Sequence, residues 1–245
     1  MAGVLPVLRI KRRSALILPL TVLAVAFAFW MRVGPVIPVD GAAAQTYQTV
    51  VLDPGHGGAD GGAVGRNGTQ EKDINLTIAA KTAAFLQFFG VDVVMTRTDD
   101  RSLHSSGAVT LRQQKIEDLQ RRCAFTMQQK SPVYLSIHQN FYTDMVSHGA
   151  QTFYSSKNTG GKSLAEMVQN DLKKVLGAEN SRKAAPNPNK NYLLDHLTCP
   201  AVIVECGFLS HPEEEAKLCS ADYQNQLAFS IAMSAMRAIG EGLAP

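Results

Sequence analysis

Thr49-Val50-Val51-Leu52-Asp53-Pro54-Gly55-His56-Gly57-Gly58 is the stretch on which the fold turns. Thr49, Val50 and Val51 are β-branched, and with Leu52 they form a run of strand length without helical periodicity. Asp53-Pro54-Gly55 then signals a turn, and glycines on both sides of His56 allow close backbone approach. Downstream, Glu71-Lys72-Asp73-Ile74-Asn75-Leu76 opens a helical pattern in which Ile74, Ile78, Phe85 and Phe89 recur, with Gly90 as its stop. A strand that feeds a glycine turn and then a helix is the start of an alternating α/β chain.

The rest of the chain repeats that alternation. Residues 91–96 read as a strand, and Leu111, Leu119, Cys123 and Met127 outline a second helix. Residues 133–137 and 150–154 are strand runs, and Leu164, Val168, Leu172 and Val175 mark a third helix before Gly177. A loop at 187–191, a strong strand at 201–204 and a closing helix at 227–239 complete the pattern. The expectation is an α/β fold: a single domain, 47–241, with a largely parallel central sheet flanked by helices, plus an N-terminal hydrophobic helix.

The N-terminus differs from the body. Arg9, Lys11, Arg12 and Arg13 precede an uncharged apolar stretch at 15–31, and Pro, Gly and Ala then dominate 34–46. About 17–25 apolar residues cross a bilayer, so 1–33 reads as a membrane anchor and 34–46 as a linker. Basic residues before the span predict the body of the chain on the extracytoplasmic side of the cell membrane. Secretion after signal cleavage is the alternative. Ala42-Ala43-Ala44 resembles a cleavage site but lies far beyond the apolar run. The chain carries 24 basic and 21 acidic side chains, and Arg9, Lys11, Arg12, Arg13 and Arg32 account for the excess. The body is close to neutral, so nucleic-acid binding is not expected.

Cys123, Cys199, Cys206 and Cys219 lack C-x-x-C spacing, which disfavours a cysteine metal site. Export permits disulfides among them without selecting any. The thiol of Cys206 adjoins Glu205 in sequence, which raises metal binding or oxidation there as a question. Gly55-His56-Gly57 is not a dinucleotide fingerprint, because Asp60 stands at the third glycine position. Ser136 and Ser210 lack a G-x-S-x-G elbow. Among the other histidines, His104, His148, His196 and His211 sit in polar, turn-like surroundings, with His196 beside Asp195 the one expected nearest substrate. Glu213-Glu214-Glu215 reads as a solvated helix start.

Four segments remain. They contain His56, Glu71, His138 in Tyr134-Leu135-Ser136-Ile137-His138-Gln139-Asn140, and Glu205 in Val202-Ile203-Val204-Glu205-Cys206-Gly207-Phe208. His56, His138 and Glu205 fall just past predicted strand ends, the edge at which open α/β sheets bind ligands. Two histidines and a carboxylate can hold one zinc ion with a position left open, and a second carboxylate can act as general base.

In order and spacing these segments resemble the zinc-dependent N-acetylmuramoyl-L-alanine amidases of the amidase-3 type, over about 49–239. The resemblance implies His56, Glu71 and His138 as metal ligands, Glu205 as the catalytic glutamate, and Asn75, Arg97 and Asn140 as supporting or substrate-binding residues. It implies peptidoglycan as substrate, cut between the lactyl group of N-acetylmuramic acid and L-alanine. Within the family the chain is most similar to the spore-cortex amidases involved in making muramic-δ-lactam. General vegetative wall amidases and zinc peptidases acting on wall stem peptides are the alternatives. The stretch at 140–149 has no room for the inhibitory helix that some such amidases insert, so an open site is expected. Restraint then falls to location or to an accessory activating protein.

Overall fold

The computed structural model describes residues 48–243 except Met145, Thr159 and Ala178, so the expected anchor and linker lie outside the described residues. The strands are β1 (Thr49–Pro54), β2 (Asp92–Met95), β3 (Pro132–Asn140), β4 (Gln151–Tyr154), β5 (Ala185–Pro186) and β6 (Ala201–Phe208). The helices are α1 (Glu71–Phe88), α2 (Leu111–Met127), α3 (Gly161–Leu176), α4 (Tyr192–His196), α5 (Pro212–Leu218) and α6 (Ala221–Glu241). Among the described residues no helix is long and apolar enough to cross a membrane.

The six strands form one sheet in the order β2-β1-β3-β6-β4-β5. β1 pairs in parallel with β2 and β3, β3 with β6, and β4 with β5. β4 runs antiparallel to β6, so the expected largely parallel sheet is mixed. The described residues from β3 to β4 carry no helix. A parallel return to the far edge takes a dozen or more residues, usually with a crossover helix. β4 therefore starts at the edge where β3 ends and runs the other way.

Side chains alternate between the two faces. Val50, Leu52, Val133, Leu135, Ile137, Val202, Val204 and Cys206 join one buried cluster with α1, α3 and α6. Val51, Tyr134, Ala201 and Ile203 join the other, with Leu193, Leu194, Leu197 and Cys199 around α4. That parity sets Cys206 on the opposite face from Glu205. The thiol is fully buried, its Sγ points to the Val204 carbonyl, and burial holds its pKa far above the usual range. It is packing, not chemistry beside the base.

α2 departs from its sequence reading. Leu111 and Met127 are exposed, and the buried residues of this helix are Arg122 and Thr126. A capping box between Thr110 and Gln113 sets its start. α5 departs too: Glu214 and Glu215 are buried, not solvated. Glu214 accepts from the amides of Phe208 and Gly149, and Glu215 from those of Arg66 and Asn67. These carboxylates close backbone donors that loops leave open.

Candidate metal centre

His56, Glu71 and His138 each offer one ligand atom, and these atoms all lie within 4.8 Å of one another. Three elements bring them together. His138 lies inside β3, and His56 follows β1 by two residues. Glu71 is the first residue of α1, where a carboxylate is favoured by the positive end of the helix dipole. Its Oε1 lies 2.9 Å from His138 Nδ1 and 3.2 Å from His56 Nε2. It also accepts from Gln139 N at 3.1 Å, while Oε2 accepts from Ala63 N at 2.8 Å.

The His56 loop is held in an unusual conformation. His56 has φ 61°, followed by Gly57 at 132° and Gly58 at 60°, backbone angles that cost a non-glycine residue about 1–3 kcal/mol. Buried donors fix the carbonyls on which it turns. Arg97 donates from Nε to Pro54 O and from a terminal nitrogen to Gly55 O, each at 2.9 Å. Asn75 Nδ2 donates to Gly55 O at 3.2 Å. Arg122 donates to Pro54 O at 2.9 Å and to His56 O at 2.7 Å. Gly55 packs flat on His138: a Cβ there would lie 2.2 Å from the ring.

Arg97 thus supports the site through backbone carbonyls alone, whereas Asn75 also reaches the trio, its Nδ2 lying 3.4 Å from Glu71 Oε1. Asn140 ends β3, accepting from Phe141 N on its side chain and from Leu209 N on its carbonyl, both at 2.9 Å. Three further residues have roles that the sequence reading missed. Asp60 Oδ2 lies 3.0 Å from His56 Nδ1. A carboxylate on Nδ1 leaves the Nε2 lone pair for a metal, the arrangement that orients metal-bound histidines. Arg122 pairs with the buried Asp53 carboxylate and with Asp118, each at 2.6 Å. Asp53 also accepts from Tyr134, Ser136 and Thr96, so this turn residue is the hub of a buried network. The available signal was Asp60 four residues after His56, and an arginine within an otherwise helical repeat.

Glu205 is the register partner of His138 on the neighbouring strand. The expected position past the strand end gives way to one inside β6, because β6 runs on to Phe208. Its Oε2 is shut off from solvent and lacks a hydrogen-bond partner. Burial pushes its pKa up to about 7, with His138 pulling down and Glu71 pushing up. Burial also opposes ionisation of Glu71, yet hydrogen bonds from His138 and His56 hold it far below the usual carboxylate range. For His56, burial is outweighed by Asp60 and Glu71, which raise its pKa to about 9. Carboxylates that favour a proton on this imidazole equally favour a metal cation in its place. A His-Glu-His donor set, an oriented imidazole and an orphaned carboxylate oxygen fit a catalytic zinc ion with one open position.

A cleft of about 490 Å³ opens beside His56 and His138, walled by α2 and the start of α4. His104 and Tyr192 line it, whereas His196 does not: it is exposed and stacks on Tyr192 at 4.1 Å.

The sequence profile of the N-acetylmuramoyl-L-alanine amidases matches residues 50–237. The chain is similar to the germination-specific N-acetylmuramoyl-L-alanine amidase of Bacillus subtilis (strain 168), 37% identical over 188 residues that cover 77% of this chain and 78% of that one. The structure of the CwlD amidase from Clostridioides difficile in complex with the GerS lipoprotein matches with a TM-score of 0.75 and 35% identity, over 79% of this chain and 99% of that one. The N-acetylmuramoyl-L-alanine amidase from Clostridium difficile 630 matches with a TM-score of 0.68 and 32% identity, over 79% of this chain and 97% of that one. The matched span contains the whole His-Glu-His cluster and its glutamate partner, and the chain belongs to the N-acetylmuramoyl-L-alanine amidase family.

Proposed function

We propose that this protein is a zinc-dependent N-acetylmuramoyl-L-alanine amidase that hydrolyses the lactyl–L-alanine amide of peptidoglycan, with its role in spore-cortex maturation. The observation that carries the reading is the orphaned Glu205 oxygen beside the His56, Glu71 and His138 cluster. In this reading those three residues hold one zinc ion. When bound, zinc supplies Lewis acidity that makes water a nucleophile near neutral pH. Glu205 takes the proton of the attacking water and returns it to the departing alanine nitrogen as the C–N bond breaks. The products are a muramyl lactyl carboxylate and a stem peptide with a free L-alanine amino group. A freed muramyl carboxylate is what lactam formation in cortex requires. The likeness to a germination-specific amidase supports that setting.

Asp60 orients His56 on this reading, and Arg97, Arg122 and Asn75 hold its loop. The anchor at 1–33 and linker at 34–46 place the catalytic domain outside the cell membrane, where the substrate is. The match to an amidase solved with a lipoprotein supports an accessory partner, as does the absence of a helix among the described residues joining β3 to β4. Wall hydrolysis at full rate by the domain alone would count against the partner.

The test is digestion of purified peptidoglycan by residues 45–245, with and without zinc, followed by mass analysis. The described residues of this span form one compact unit. New L-alanine amino termini matched by free muramyl carboxylates are expected, and cleavage between stem residues would indicate a peptidase. Glu205→Gln is expected to keep stoichiometric zinc and lose about 10²–10⁴-fold in kcat. His56→Ala is expected to lose both zinc and turnover.

A further inference from the structure

The cleft beside the metal cluster has a charge character of its own. Its acidic lining residues are already matched with cations or imidazole: Asp53 and Asp118 with Arg122, and Asp60 with His56. Its lysines are less committed. Lys190, in the loop before α4, lines the cleft without a hydrogen-bond or ion-pair partner among the described residues. Lys115, on α2, lines the same cleft, has only Asp60 at 3.7 Å and is 64% exposed in its side chain. Leu111, Leu119, Leu193 and Ile203 supply apolar lining to the same cleft. The cleft therefore joins apolar lining to one unpartnered ammonium group, Lys190, and one held only by a long contact to Asp60, Lys115, and it borders His56 and His138.

Resting on the amidase reading above, we propose that this cleft takes the peptide side of the substrate, and that Lys190 and Lys115 bind a carboxylate of that peptide and set stem-peptide specificity. The two sides of the scissile amide differ in charge. The glycan side is neutral, with its lactyl carbonyl still in amide linkage. The peptide side carries carboxylates. Where the second stem residue is γ-linked D-glutamate, a free α-carboxylate lies one residue beyond the L-alanine. An ammonium group is a point charge on a flexible stem, suited to a carboxylate whose position varies with the chain. The apolar walls suit the alanine methyl group and the methylenes that follow it. Amidation of that carboxyl leaves its size nearly unchanged and removes its charge, so the cleft discriminates between the two forms.

The experiment uses the full chain, purified in detergent with zinc, on two muropeptides that differ only at the second residue, D-glutamate against D-isoglutamine. The readout is the ratio of their kcat/KM values, with KM and kcat measured separately. The wild type is expected to favour the free acid by about tenfold, the gain of one charge-assisted hydrogen bond at a partly wet site, and to do so through KM. Lys190→Gln and Lys115→Gln should each lower the ratio, and the double variant should bring it close to one. Lys190→Arg should keep most of the preference, which a merely structural lysine would not predict. A wild-type ratio of one, or a tenfold preference that survives in the double variant, overturns the proposal while leaving the amidase reading intact. Cleavage of neither muropeptide, by the chain alone or with an extract of sporulating cells added to supply the accessory partner, overturns the amidase reading, and this inference with it.

Discussion

Two carboxylates of opposite electrostatic character stand out at the residue scale. Glu71 is held ionised by the imidazoles around it, whereas burial pushes Glu205 up to about 7. An unfolded glutamate titrates near 4.5, so the folded, metal-free protein keeps the Glu205 proton longer than the unfolded chain does. Stability from this group is present below about pH 4.5 and lost as pH rises through about 7. Glu205→Gln should thus stabilise the metal-free protein by about 1–3 kcal/mol at pH 8 and leave it unchanged at pH 4, by urea denaturation in chelator. A base must be ionised to accept a proton. The acidic limb of kcat/KM is therefore expected at or below about pH 7, since a nearby metal cation lowers the Glu205 pKa. Asp60 is the second residue-scale prediction. Asp60→Asn should weaken zinc affinity by about 10–100-fold with the fold intact, by competition against a zinc-sensitive dye. The sequence named all three trio members and Glu205, because each sits in a distinctive segment. Asp60 escaped notice because its role depends on a turn that brings residue 60 back onto residue 56, and a turn's path is not written in residue type.

At the scale of elements, the sequence read best where burial is apolar. The runs at 133–137 and 201–204 are strands whose residues are nearly all fully buried. The periodic helices α1, α3 and α6 pack on one face of the sheet. α2 was misread in its inner face, because that face works through charge. Arg122 is 2% exposed and ties α2 to β1 through Asp53 and to the His56 loop through two carbonyls. Breaking a buried pair by removing one partner costs about 3–5 kcal/mol. Arg122→Met should cost that much in denaturant unfolding and lower zinc occupancy, while far-UV circular dichroism keeps the helical signal. Asp53, held well below the usual carboxylate range by Arg122 against its burial, gives the complementary pH effect. Its contribution is present above the unfolded aspartate pKa and is lost as the solution is acidified. α5 teaches the same point: a run of three glutamates is solvent-facing by composition, yet two of them satisfy loop amides that only the fold brings near.

For the whole molecule, the His56, Glu71 and His138 cluster brings together three separated parts of the chain, the β1 turn, the start of α1 and β3, and on the proposed reading its zinc clasps them. A ligand that binds only the folded state stabilises it by about 2.7 kcal/mol at a hundredfold excess over Kd. Removing zinc with a chelator should lower Tm by several degrees and restoring zinc should reverse it, whereas His138→Ala should show no zinc-dependent shift. By itself the sequence determined the alternating α/β class, the buried strands, the family segments and the identities of the cluster residues. These follow from local apolar runs, turn residues and spacing. Tertiary structure alone decided that β4 runs antiparallel, that Cys206 faces away from Glu205, that Asp60 orients His56, and that Lys190 and Lys115 border one cleft. Those facts depend on strand parity, on loop paths and on residues far apart in the chain meeting in space, and no local pattern of residue types encodes such meetings.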